Sequence, residues 1–263
     1  TSTQTCAIEK YSQTVSCFGI RNDTTIPDDS IQFESISSGD YLFCGITLIE
    51  KKMLCWKKGY YVISELSNET GFSTKLSTGQ NHACALKNQQ ILCMGRSDYG
   101  QATPPSGNFV DISCGNRSTC AIDVNGKIHC FGKHYVSNRF VTSPPNGTFV
   151  EVHVGPGTQA CAVSSIGEIH CWGLEEFDEN QVHSGPFIHV NVHLYGYCGT
   201  YTNLTVECFG QSKVFQDLAL STQFLEISIG IFDACGVENA TNLLLCETVG
   251  RIHDVSFLPN DFE

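Results

Sequence analysis

The stretch Cys120-Ala121-Ile122-Asp123-Val124-Asn125-Gly126-Lys127-Ile128-His129-Cys130-Phe131-Gly132 decides the fold. Pairing Cys120 opposite Cys130 centres a turn on Asn125. It leaves the three-residue loop Val124-Asn125-Gly126, with glycine at the position where such hairpins need left-handed backbone. Ile122 then faces Ile128 on the same side as the two sulfurs. Residues directly opposite in an antiparallel pair have Cα separations of about 4.5–5.5 Å, which suits a disulfide. The stretch from Cys161 to Cys171 gives the same answer, with the loop Ser165-Ile166-Gly167 and Val163 facing Ile169.

The hairpin recurs. Of fifteen cysteines, all but Cys114 fall into seven pairs: Cys6 and Cys17, Cys44 and Cys55, Cys84 and Cys93, Cys120 and Cys130, Cys161 and Cys171, Cys198 and Cys208, Cys235 and Cys246. Separations within pairs run from 9 to 11 residues, and successive first members stand 36 to 41 residues apart, which is a structural repeat. A small residue follows each first cysteine (Ala7, Gly45, Ala85, Ala121, Ala162, Gly199, Gly236). The second cysteine leads into an aromatic residue or Met and then Gly in five repeats, as in Trp172-Gly173. A glycine stands five residues before the first cysteine at Gly39, Gly79, Gly115 and Gly230, after strand-like text such as Phe109-Val110-Asp111-Ile112-Ser113.

Seven units of roughly 38 residues, each of a few short strands, predict an all-β fold, a seven-bladed β-propeller with one disulfide per blade spanning residues 1–263 as a single domain. A solenoid would need polar capping repeats at both ends, whereas this chain begins inside a unit. The strand missing from the first unit reappears as Ile252-His253-Asp254-Val255-Ser256-Phe257, which is expected to pair with the first hairpin and close the ring.

Composition sets the compartment. Fifteen cysteines in 263 residues favour an oxidising environment. Six Asn-x-Ser/Thr sequons, at Asn22, Asn68, Asn116, Asn146, Asn203 and Asn239, are expected to carry N-glycans. The net charge of −12 opposes binding to nucleic acid or anionic lipid, so no nucleic-acid partner is expected. No apolar run of membrane-spanning length occurs; a membrane anchor, if the parent protein has one, lies outside these residues.

The repeat resembles that of the regulator of chromosome condensation, with its Ile-x-x-Gly strand and a hairpin ending in Trp-Gly. Its cysteine version, Cys-Gly/Ala-Ile followed by Cys-Trp/Phe-Gly, resembles the extracellular repeats of the plant crinkly-type receptor-like kinases over essentially the whole chain. The family tryptophan stands only at Trp56 and Trp172. The resemblance implies the ectodomain of a plasma-membrane serine/threonine kinase, with kinase and membrane helix outside this chain. It implies cell-surface signalling through an extracellular peptide or protein ligand or through sister receptors.

Rival chemistries fit less well. Structural zinc sites bring ligands in short pairs two to four residues apart, and His82, His129 and His170 do not fall so; no metal or cofactor is expected. The cluster Glu175, Glu176, Asp178 and Glu179 reads as a solvated loop rather than a glycosidase pair. No nucleophile elbow occurs, so the chain is not expected to be an enzyme. Cys114 is expected to be a buried free thiol. The ligand-contacting residues are not legible, although loops after the second cysteine, such as Leu174 to Asn180, are candidates. The alternative to a receptor is a free-standing secreted binding or inhibitory propeller.

Overall fold

The computed structural model describes residues 4–19, 28, 30–39, 42–57, 69–132, 143–157, 159–173, 181–194, 196–210, 222–229, 233–241, 244–248 and 251–253. Every regular element among them is a β-strand. They form antiparallel sheets in chain order. The first holds β1 (Gln4–Ile8) and β2 (Val15–Gly19). It is followed by β3 (Phe33–Ser38), β4 (Leu42–Thr47) and β5 (Met53–Lys57), then by β6 (Leu76–Thr78), β7 (His82–Lys87) and β8 (Gln90–Gly95). Next come β9 (Phe109–Cys114), β10 (Ser118–Asp123) and β11 (Ile128–Gly132). The following sheet has four strands, β12 (Phe149–Val154), β13 (Ala160–Ser164), β14 (Ile169–Trp172) and β15 (Val182–His183). The last two are β16 (Phe187–His193), β17 (Gly196–Tyr201) and β18 (Val206–Gly210), then β19 (Phe224–Ile229), β20 (Asp233–Glu238), β21 (Leu244–Thr248) and β22 (Arg251–His253).

Each sheet is built around a local hairpin. In β10–β11 the loop Val124–Gly126 is closed by Asp123 N–H donating to the Lys127 carbonyl at 2.9 Å, with Gly126 at φ 81°. The β13–β14 loop repeats this, with Ser164 N–H on the Glu168 carbonyl at 2.8 Å and Gly167 at φ 86°. In β17–β18 the same left-handed position is held by Leu204, at φ 67°.

In five of the sheets the strand before the hairpin begins with a buried phenylalanine, at Phe33, Phe109, Phe149, Phe187 and Phe224. A one-residue register shift follows Phe33, Phe149, Phe187 and Phe224, which turns the next residue outward. The ring of Phe33 lies so close to Gly45 that a Cβ there would sit 2.4 Å from it; Gly199 and Gly236 stand in the same relation to Phe187 and Phe224. The requirement for a small residue after the first cysteine therefore has a steric origin. The apolar clusters run from one sheet into the next, for example Cys120, Ile122 and Ile128 packed with Phe149, Val152 and Ala162.

One expectation is corrected. Residues 251–253 form β22 on the outer edge of the last sheet, with Ile252 opposite Glu247 and His253 opposite Cys246, instead of joining β1 and β2. Folding back at once along the open edge of β21 closes a far shorter loop than reaching another sheet. Residues 254–257 lie outside the described residues.

Candidate functional site

The paired cysteines face each other in register across every hairpin. Sulfur–sulfur distances are 2.03 Å for Cys6–Cys17, 2.02 Å for Cys44–Cys55, 2.07 Å for Cys84–Cys93, 2.07 Å for Cys120–Cys130, 2.06 Å for Cys161–Cys171 and 1.97 Å for Cys198–Cys208. Cys235 is also disulfide-bonded, and Cys246 lies opposite it. Cα separations of 4.0–4.1 Å mark these as pairs without mutual backbone hydrogen bonds. Their N–H and C=O groups therefore point away from the hairpin partner, as where Cys171 N–H donates to the Gln181 carbonyl at 3.0 Å. Reducing cytosolic systems do not sustain so many bridges, and the chain is one of the oxidising, extracellular compartment.

Cys114 is a buried free thiol. Its backbone N–H donates to Ser77 Oγ at 2.8 Å, and burial pushes the thiol up to about 12, well away from reactivity. Ligating atoms of His82, Cys84 and Cys114 lie within 4.8 Å of one another. Cys84 is bonded to Cys93, however, so two protein donors remain, fewer than a structural metal site uses. His82 is fully buried, and burial lowers its pKa to about 4. Thr119 Oγ1 donates to the Gln101 carbonyl at 2.9 Å, so the contact between His82 Nε2 and Thr119 Oγ1 at 2.8 Å has the histidine as donor. His129 and His170 occupy equivalent positions: His129 contacts Asp123 at 2.8 Å and meets Phe109 edge-on, while His170 contacts Glu168 at 3.2 Å and meets Phe149 edge-on.

Of the sequon asparagines, Asn146, Asn203 and Asn239 are exposed. Asn203 caps its own turn, its Oδ1 accepting from Thr205 N–H at 3.1 Å. Asn116 is half-buried, with Oδ1 enclosed and unpartnered, and Ser118 of its sequon is buried. Asn22, Asn68, the carboxylates at 175, 176, 178 and 179, and the segment 174–180 lie outside the described residues.

Polar residues of the first strands also carry the architecture and were not singled out from sequence. The first strands of successive sheets pack side by side. Across four of these boundaries a polar side chain accepts the backbone N–H of the next strand: Ser37 from Thr78 at 3.0 Å, Ser77 from Cys114 at 2.8 Å, Ser113 from Val154 at 2.9 Å and His153 Nδ1 from Val192 at 3.1 Å. Two residues earlier, Asp111 accepts from Val152 and Glu151 from Val190, both at 2.9 Å. Lys75 pairs with Asp111 at 2.8 Å and His189 with Glu151 at 3.1 Å on the same flank. At the strand ends the recurrent glycines meet: a Cβ on Gly39 would lie 1.9 Å from the Gly79 carbonyl oxygen, and one on Gly79 would lie 2.1 Å from that of Gly115.

Small antiparallel sheets, stitched in sequence by their first strands and each pinned by a disulfide, define a β-propeller of the kind built from RCC1 repeats. The family described as Regulator of chromosome condensation (RCC1) repeat matches residues 109–137. The fold is that of the entire ectodomain of the Physcomitrella patens receptor kinase CR4, with a TM-score of 0.74 and 22% identity over 93% of this chain and 70% of that one. It is equally that of the CRINKLY WD40 ectodomain of the Arabidopsis thaliana receptor kinase ACR4, with a TM-score of 0.73 and 20% identity over 94% of this chain and 93% of that one. Prp20p from Saccharomyces cerevisiae matches with a TM-score of 0.65 and 14% identity, over 86% of this chain and 74% of that one.

Proposed function

We propose that this chain is the extracellular propeller of a plasma-membrane receptor-like serine/threonine kinase. It binds a peptide, a protein ligand or a sister receptor and has no catalytic role of its own. The observation that carries this reading is one disulfide at the same register in sheet after sheet of an RCC1-type fold, shared in its overall form with the CR4 and ACR4 ectodomains. Residues 1–263 form one domain of seven blades arranged as a ring. N-glycans sit on exposed sequons such as Asn146, Asn203 and Asn239. Because each blade is crosslinked within itself, the surface is stiff, and the signal passes by bringing receptors together rather than by bending one.

The test is a binding screen of the secreted, glycosylated chain against extracellular peptides and sister ectodomains. A saturable ligand supports the reading, and no ligand in either class overturns it. The full transcript separates a receptor from a free-standing secreted propeller: a receptor has about 20 apolar residues followed by a kinase glycine loop.

A further inference from the structure

His82 and Cys114 both depart from the repeat, and the two departures meet. Two residues before the first cysteine of the hairpin, Leu42 and Ser118 stand where β7 begins with His82. Before the recurrent glycine, Ser38 and Thr78 stand where β9 ends in Cys114. Across the boundary between β7 and β9, a ring nitrogen of His82, Cys84 Sγ and Cys114 Sγ all lie within 4.8 Å of one another, and all three residues are buried. Cys84 Sγ is held in the bridge to Cys93, which leaves an imidazole and a thiol as donors.

The imidazole is already oriented as a ligand. Its Nε2–H donates to Thr119 Oγ1 at 2.8 Å, and Thr119 passes its own hydrogen to the Gln101 carbonyl at 2.9 Å. The unshared pair is therefore on Nδ1, which is enclosed and has no hydrogen-bond partner among the described residues. Gly79 sets no side chain against that nitrogen, since a Cβ there would lie 2.9 Å from it. Leaving a buried acceptor unpaired is costly, and metal-binding histidines are fixed in this way, by a bond from the other ring N–H. The same Thr119 oxygen stands 3.7 Å from Cys114 Sγ, so one side chain positions both donors.

Donor type, number and charge select the ion. Thiolate sulfur favours soft ions such as copper(I), and two donors fall short of the four that structural zinc takes. A monovalent ion with a filled d shell accepts two donors in a line. Bonds of the lengths zinc makes to sulfur and nitrogen, about 2.3 Å and about 2.0 Å, span about 4.3 Å end to end, inside the 4.8 Å limit. A monovalent ion in place of the thiol proton also leaves the buried pair neutral, whereas a divalent ion leaves an uncompensated charge away from water.

We propose that His82 Nδ1 and Cys114 Sγ form a two-coordinate site for a soft monovalent cation, copper(I), with silver(I) as its analogue. On binding, the S–H bond breaks and its proton leaves to solvent, while the sulfur and the Nδ1 lone pair bond the ion; no electron changes hands. The ion ties β7 to β9 and so adds a link between sheets to disulfides that act within them. This goes beyond the receptor reading and does not depend on it.

The test titrates the secreted chain, its disulfides intact, with copper(I) held by bicinchoninate under ascorbate, and separately with silver(I) in chloride-free buffer. The result expected is uptake of one equivalent of either ion, release of one proton and a higher melting temperature. X-ray absorption should show one sulfur and one nitrogen neighbour. Cys114→Ser, which restores the residue type of Ser38, should fold and lose both the uptake and the shift. Thr119→Val should weaken binding about tenfold, and zinc should give no shift that depends on Cys114. No uptake by the native chain, uptake unchanged in Cys114→Ser, a neighbour shell without nitrogen, or a Cys114-dependent response to zinc would each overturn the site. Should His82→Gln fail to fold, the nitrogen in the absorption spectrum and the Thr119→Val affinity still decide the role of the ring.

Discussion

His153 Nδ1 accepts the backbone N–H of Val192 at 3.1 Å, joining two sheets through a ring nitrogen that must be unprotonated. Burial holds the pKa of His153 at about 4, and those of His82 and His193 at about 4 as well. A histidine whose folded pKa lies below its unfolded value of 6.5 contributes stability that is complete above pH 6.5 and lost as pH falls towards 4. Each contributes on the order of 3 kcal/mol at most. His189, raised by its bond to Glu151, works in the opposite sense and offsets part of the loss. Denaturation midpoints should therefore drop between pH 7 and pH 4.5. His153→Asn, which keeps an acceptor and is the residue type found at the matching position, Asn191, should lose less. A flat profile, or an equal loss in that variant, would contradict the neutral-histidine joint.

Gly79→Ala should destabilise by about 3 kcal/mol, because the new methyl meets the Gly115 carbonyl oxygen, which cannot swing aside, as well as the buried His82 ring. Gly71→Ala serves as the contrast: it has positive φ but open space around it, and should cost only about 1 kcal/mol. Urea melts of both read the difference directly. A cost at Gly79 no greater than that at Gly71 would mean that the close approach of neighbouring sheets adds little.

Cys114 should resist iodoacetamide at pH 8 in the folded protein and react with one equivalent once unfolded, since burial both hides the thiol and keeps it protonated. Mass spectrometry before and after denaturation checks this. Rapid alkylation of the native chain would show the sulfur to be accessible.

Replacing Cys120 and Cys130 together with Ala should cost about 3 kcal/mol, the loop-closure value for ten residues. The Ala121 and Ile122 amides, inside the crosslinked hairpin, should lose more hydrogen-exchange protection than those of β17. A uniform loss across all sheets would mean that the bridges act globally rather than blade by blade.

What the sequence determined is whatever short-range interactions decide. The spacing of Cys120 and Cys130 around Val124-Asn125-Gly126 sets a three-residue loop, the loop sets the register, and the register sets which residues face the sulfurs. No other part of the chain is needed for that inference. The recurrent Gly39, Gly79 and Gly115 were visible as a pattern, but their cause belongs to the packing of sheets: a Cβ would lie 1.9 Å and 2.1 Å from a carbonyl oxygen of the next sheet at Gly39 and Gly79, and 2.6 Å from the Val154 side chain at Gly115. Gly155 does the same work against Val192 and went unread because its loop is one residue longer. The tertiary structure alone decided the inter-sheet bonds of Ser77, Ser113 and His153, since a hydroxyl or an imidazole in a strand carries no mark of the N–H it will meet. It also decided the edges: β22 turned back on β21, and β15 covered β14. Edge pairing depends on how far each connection reaches and which backbone groups stand free when it arrives. That is a property of the assembled sheets, not of any one repeat.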